Sequence, residues 1–217
     1  MSITLIPRLL LASASPRRLE LLRQAGLDPE VRPADIDETP RSDEDAIDYA
    51  RRLSSEKARA VASGIEPDRP ILGADTIVHL PDGEPRILGK PPSPEMARVM
   101  LGRLSGRTHE VVTAYTLLYK GSERGRAVRT TVTFRALSPA ELEGYIGSRE
   151  WEDKAGGYAV QGLAAAFVRA VHGSYTNIVG LPLCEVLEDL YALEALPSNW
   201  ALGSERFENK LLGPRNF

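Results

Sequence analysis

Three Ser-Pro pairs, Ser15-Pro16, Ser93-Pro94 and Ser138-Pro139, fix where helices can begin in this chain. A serine hydroxyl accepts hydrogen bonds from the free amides of a first helical turn, and a proline at the first helical position loses nothing, because its missing N–H would have had no partner. Gly26 and Gly106 stand just past the first and the second of these predicted helices, as left-handed helix ends require. Ser138-Pro139-Ala140-Glu141 has capping-box spacing. A further helix is predicted from Ser42 to about Val61, with Asp43, Glu44 and Asp45 at its positive end, and a terminal one over Leu183 to Leu193. Strand-like runs lie between the helices. Ile3 to Ala12 is short and apolar, and Ile71 to Leu80 is followed by a turn at Pro81 to Glu84 and a possible return at Arg86 to Leu88. Val112 to Tyr119 is apolar, Val128 to Ala136 alternates with period two, and together they predict a long strand pair around Gly121 to Gly125. Tyr158 to Gln161 and Ala165 to Val171 read as two short strands. The interleaved order predicts an α/β fold with a mixed sheet.

With 217 residues, 42% of them hydrophobic, the chain is long enough for one sizeable core. Its formal net charge of -3 argues against coating nucleic acid or an anionic membrane, so any anion must be met locally. The single Cys184 cannot form an intrachain disulfide, and Met1 to Leu11 is no signal segment. No apolar run approaches the roughly 20 residues that span a bilayer. A soluble, cytoplasmic protein with neither nucleic acid nor membrane as partner is expected. Beyond Pro197 the chain is weakly patterned, and 197–217 reads as a C-terminal extension.

Several residues stand where plain structure does not want them. Arg17 and Arg18 sit at the positive end of a helix, a position unfavourable by roughly 0.3–1 kcal/mol each unless an anion binds there. Either they make a polyphosphate cradle with Ser13 and Ser15, or they are solvated or paired with Glu20. Asp75 interrupts the apolar run ILGADTIVHL. A carboxylate buried there must be paired or metal-bound; otherwise it points outward or caps a turn. Asp35, Asp37 and Glu38 form an acidic loop, suited to Mg²⁺ or Mn²⁺ or else simply solvated. Lys57, Lys90 and Lys154 each read as surface lysines when taken alone, and Gly89-Lys90 lacks the spacing of a P-loop. Gln161, between glycines in GGYAVQG, can read a nucleobase edge or close a tight turn. His79, His109 and His172 have no zinc-ligand spacing, and Ser174 lacks a nucleophile elbow.

In this order, SASPRR, SEKARAV, GADT, LGKP, LSGRTHEVVTA, DKAGGYAVQG and GSYTNIVGLPL resemble the Maf family of nucleoside triphosphate pyrophosphatases, once described as septum-formation inhibitors. The resemblance covers about Leu9 to Leu193 and implies a Maf-like pyrophosphatase domain over 1–196. It implies an elongated mixed β-sheet flanked by helices, two-lobed with a central cleft as in inosine triphosphatases, and a homodimer. The implied reaction is metal-dependent hydrolysis of a nucleoside triphosphate to monophosphate and pyrophosphate, with Mg²⁺ or Mn²⁺ as cofactor. By resemblance, Ser13, Arg17 and Arg18 hold phosphate, with Lys57, Lys90 and Lys154 adding charge; Glu38 and Asp75 bind the metal, and Asp75 is also the general base. The YAVQG string resembles the subtype acting on dTTP and UTP, in which Arg17, Thr76 and Gln161 go with specificity. The alternatives are the same reaction on 7-methyl-GTP, and a nucleotide-binding regulator of cell division with little hydrolysis.

Overall fold

A computed structural model describes residues 8–41, 44–65, 68–82, 87–196 and 200. Its centre is one seven-stranded sheet in which β2 (Glu30–Val31), β1 (Leu10–Leu11), β3 (Ile71–His79), β5 (Thr108–Tyr119), β6 (Ser122–Phe134) and β7 (Val168–His172) follow in order, with β4 (Ile87–Leu88) also paired to β3. The connection from β1 through helix α1 (Pro16–Gln24) makes β1 and β2 parallel, and β1 also runs parallel to β3. All other pairings are antiparallel, so the sheet changes character at β3.

Residues of α2 (Ala46–Ala62) cover one face, where Ala46 and Ala50 meet Ile77, Val112 and Ala114, and Ala58 meets Leu10 and Ile71. The other face carries the larger core, shared by α1, α3 (Pro94–Leu104), α4 (Pro139–Ser148), α5 (Tyr175–Val179) and α6 (Leu183–Ala192). Tyr115, Phe134, Leu72 and Leu101 are fully buried in it. That burial, not helix propensity, holds the short helices in place.

The Ser-Pro signals hold as helix starts, and Ser93 and the Ser138–Glu141 capping box make their expected bonds. Elsewhere the structure corrects the expectations. The second helix starts at Ala46, because Asp45 accepts hydrogen bonds from Ile47 and Asp48; Ser42 and Asp43 lie outside the described residues. Ser15 occupies the cap position of α1 without a side-chain cap bond among the described residues. The first strand is confined to Leu10–Leu11, and Ile3 to Pro7 of the expected run lie outside the described residues. Tyr158 to Gln161 is not a strand. Ala159 N donates to the Tyr145 hydroxyl at 3.1 Å and the Ala159 carbonyl accepts from Gly162 N at 3.0 Å, so the segment closes a turn instead of pairing with the sheet. Of Ala165 to Val171, only Val168 onward pairs with β6, while Leu163–Phe167 winds as a 3₁₀ turn. The hairpin β5–β6 starts earlier and turns tighter than expected, through Lys120 and Gly121 with φ of 48° and 77°. Of the 197–217 extension the structure describes Trp200, whose ring meets Tyr191 edge-on and whose carbonyl accepts from the Tyr191 hydroxyl at 2.6 Å.

Candidate active site

Strand β3 is paired with β1 at Ile71 and Leu72 and with β4 at Val78 and His79, and on that edge Gly73 to Ile77 have no strand partner among the described residues. Past Leu11 the chain leaves the sheet and turns into α1, which opens a gap at the carboxyl end of a parallel strand, the usual place for a ligand crevice in such sheets. A cleft of about 940 Å³ occupies this region. The ten residues that the resemblance singles out, Ser13, Arg17, Arg18, Glu38, Lys57, Asp75, Thr76, Lys90, Lys154 and Gln161, line it, whereas Asp35 and Asp37 of the acidic loop are not among its lining residues.

The period of two along β3 decides what each residue meets. Gly73, Asp75 and Ile77 face α2, and a methyl group on Gly73 would lie 2.2 Å from the Ser54 carbonyl oxygen and 2.7 Å from the Ala58 nitrogen. Only glycine allows that approach. It brings Lys57, the neighbour of Ala58, onto the strand. The Lys57 ammonium donates to Asp75 Oδ1 at 2.7 Å and lies 2.7 Å from Glu38 Oε1. Lys57 and Asp75 are each 8% exposed, whereas the Glu38 side chain is half exposed. Burial pushes the Asp75 carboxyl above its ordinary range, against the opposing charges of Lys57 and Arg18. Burial also raises Glu38, but the hydrogen bond and charge of Lys57, with Lys90 and Arg18 beyond, outweigh it and hold that carboxyl below its usual range.

Thr76 faces the other way. Its hydroxyl accepts from Arg18 Nη2 at 3.0 Å, while Arg18 Nε donates to the Gly180 carbonyl at 2.8 Å and Nη1 to Ser13 Oγ at 2.8 Å. One buried guanidinium thus ties the start of α1 to β3 and to the end of α5, which the planar fork of arginine suits and lysine does not. Ser13 Oγ also accepts from Ser15 N at 3.2 Å. With Ser15 making no side-chain cap bond among the described residues, the amide end of α1 opens onto the cleft, an arrangement whose chemistry suits an anion.

Arg17 reaches across the cleft and donates to the Asp153 carbonyl at 3.2 Å. Lys154 donates to the Glu152 carbonyl at 2.8 Å, and Lys90 and Gln161 stand exposed at the rim. Burial lowers both Arg17 and Lys154, with the Asp153 carboxylate countering it at Arg17. The structure therefore gathers four cations and a helix terminus around a buried carboxylate that already has a lysine partner. Such a site can bind and stabilise a polyphosphate.

Several further residues shape the site. Tyr49 lines the cleft and donates to the Glu38 carbonyl at 2.8 Å, with its own hydroxyl pushed up to about 12 by burial and by the Asp75 and Glu38 charges. Its place in the helix facing the acidic loop was the available signal. Asn177 is fully buried and donates to the Val111 carbonyl at 3.0 Å and to Thr130 Oγ1 at 2.9 Å, holding α5 against β5 and β6. Ser174 caps α5 by accepting from Asn177 N, a structural task that accounts for it.

Residues 8–193 match the family model described as Maf-like protein. A dTTP/UTP pyrophosphatase of Syntrophus aciditrophicus (strain SB) is 50% identical over 194 residues, covering 88% of this chain and 93% of that protein. A dTTP/UTP pyrophosphatase of Geobacter sp. (strain M21) is 50% identical over 191 residues, 87% of this chain and 96% of that one. Among solved structures, the Staphylococcus aureus Ham1 protein matches 58% of this chain and 70% of its own with a TM-score of 0.40 and 16% identity. With a family model spanning nearly the whole described chain, and half the residues shared with relatives along most of their length, this chain belongs to the family of Maf-like proteins.

Proposed function

We propose that this chain hydrolyses dTTP and UTP to the nucleoside monophosphate and pyrophosphate. The observation that carries the reading is Asp75, a buried carboxylate with a raised pKa at the wall of a cleft that also presents Arg17, Arg18, Lys57 and Lys90. The naming of both half-identical relatives as dTTP/UTP pyrophosphatases supports the choice of nucleotides.

In this reading the amide end of α1, Ser13 and Arg17 hold the phosphates, and Arg18 fixes that terminus against β3 while adding its charge. Asp75 takes the proton of the attacking water at its carboxylate, a task helped by the upward shift that burial gives its pKa. Lys57 orients that carboxylate through Oδ1 and, with Lys90 and Lys154, offsets the charge that grows on the phosphoryl oxygens. Gln161, with Thr76 and Arg17, reads the pyrimidine edge, where an amide can both donate and accept.

The donor set fits a hard divalent cation. Glu38 and Asp75 converge on one lysine with no thiol or imidazole among the lining residues, and Mg²⁺ or Mn²⁺ is bound by one or two carboxylates together with substrate phosphates and water. Among the described residues no group of three or more His, Cys, Asp or Glu could hold a metal ion, so substrate oxygens would complete the set. Glu38 and Asp75 would hold the ion, and it would supply Lewis-acid stabilisation of the phosphoryl oxygens when bound. A homodimer remains part of the proposal, and light scattering in solution tests it. Among the described residues no helix is long and apolar enough to cross a membrane.

The deciding experiment incubates the protein with dTTP, UTP, GTP and 7-methyl-GTP and with Mg²⁺ or Mn²⁺, and resolves the products. Pyrophosphate with a pyrimidine monophosphate is expected; orthophosphate as first product would refute the reading. Asp75→Asn should lower turnover by about 10²–10⁴-fold and move the melting temperature by no more than about 3 °C, because Lys57 keeps Glu38 as partner.

A further inference from the structure

The wall of the cleft that carries Lys154 and Gln161 is anchored from behind by an imidazole outside the cleft. His109, in β5, is fully buried, with its ring edge-on to Phe134 at 5.0 Å and to Tyr158 at 5.5 Å. Its Nε2 lies 2.8 Å from the Tyr158 hydroxyl, and its Nδ1 has no hydrogen-bond partner among the described residues. A phenylalanine or leucine would fill the same apolar niche without an orphaned nitrogen. Packing alone therefore does not account for a histidine here, because an unpartnered buried polar atom is a cost with no return in packing.

What the bond to Tyr158 holds is the turn that follows. Gly156 and Gly157 come immediately before Tyr158 with φ of 67° and 71°, a left-handed backbone that glycine adopts without strain and that does not by itself fix where the chain goes next. Its direction is set from outside: Gly156 N donates to the Gly89 carbonyl at 3.0 Å, the Tyr158 ring is clamped between His109 and Phe134, and Ala159 N donates to Tyr145 Oη at 3.1 Å. Beyond that clamp the chain turns back within three residues, as Gly162 N bonds the Ala159 carbonyl, and Gln161 is delivered to the rim.

We propose that His109 is a positioning residue for nucleobase recognition: through Tyr158 it sets the place of Gln161 relative to the phosphate-holding residues. The inference rests on the proposed reading of Gln161 as the residue that meets the base. It assigns His109 to substrate selection and not to the chemical step, since neither His109 nor its bond to Tyr158 touches Asp75.

The test uses His109→Phe, Tyr158→Phe and the double variant in the full chain, each measured for melting temperature and for kcat and KM on UTP and GTP. Tyr158→Phe keeps the ring and removes only the hydroxyl, so it carries the KM test should His109→Phe fail to fold. Each single variant is expected to keep kcat on UTP within about twofold while KM rises about tenfold and the UTP-over-GTP preference narrows. In the double variant both polar partners are gone, which removes the orphaned groups and restores the melting temperature, while KM stays high. Recovery of both melting temperature and KM in the double variant would overturn the inference, as would single variants that melt earlier at unchanged KM. Absence of pyrophosphate release from dTTP or UTP by the unmutated chain is a separate outcome, which would overturn the proposed function together with this inference.

Discussion

Gly73→Ala tests whether the contact of α2 with β3 sets the geometry of the site. The added methyl would stand 2.2 Å from the Ser54 carbonyl oxygen and 2.7 Å from the Ala58 nitrogen, both backbone atoms that cannot rotate away. Ordinary contact begins at 3.4 Å, so helix and strand must separate by roughly 1 Å. Overpacking of this kind costs about 1–3 kcal/mol, which for a chain of this size lowers the melting temperature by about 3–10 °C. The separation also carries Lys57 away from Asp75 and Glu38, stretching two 2.7 Å contacts beyond hydrogen-bond range. A displacement of that size at a reacting group costs about 10²-fold in rate. Circular dichroism gives the melt, and pyrophosphate release at 20 °C or more below it gives kcat/KM on folded protein. A folded Gly73→Ala variant with the kcat/KM of the unmutated chain would refute the claim that this close approach places Lys57.

The two arginines should separate when each is changed to lysine. Arg18→Lys strips donors from Ser13, Thr76 and Gly180 and should cost about 2–4 kcal/mol in urea unfolding with kcat/KM lowered on every nucleotide; Arg17→Lys loses one exposed bond, should cost under about 1 kcal/mol, and should alter the preference between nucleotides. Equal effects from the two would contradict the distinct tasks. Stability should also depend on pH through His109, whose pKa burial lowers from the ordinary 6.5 to about 4. The unfolded chain protonates first, so stability is full above pH 6.5 and falls as pH drops from 6.5 to 4, by at most about 3 kcal/mol. His109→Phe should flatten that part of a denaturation-against-pH curve; an unchanged slope would remove His109 as its cause.

Local chemistry made much of the fold legible. Serine caps and N-terminal prolines act within one turn, and the start of α4 follows from four consecutive residues. Asp75 stood out because an apolar strand makes a carboxylate conspicuous. What was not legible depends on partners far along the chain. Tyr158 to Gln161 carries apolar residues like a strand, yet Ala159 N goes to the Tyr145 hydroxyl and the Ala159 carbonyl to Gly162 N in a turn, which no local pattern announces. The partner of His109 lies 49 residues away and that of the Tyr49 hydroxyl 11, so neither side chain shows its task to a reader of neighbours alone. Ser15 misled for the opposite reason: it stands at the correct cap position, but the site leaves that helix end open.

Asp75 and Thr76 are consecutive residues of one strand that serve opposite faces of the sheet, the first toward Lys57 and the second toward Arg18. Insertions and deletions in β3 are therefore governed by parity. One extra residue between Gly73 and Asp75 would turn the carboxylate toward the arginine and the following hydroxyl toward the lysine, exchanging the two halves of the site in a single step. Two extra residues would restore the faces while shifting both groups along the strand by about 7 Å, past the partners that meet them now. Length variation in a lineage of this fold should thus be confined to the connections around β3, with the strand itself kept at constant length.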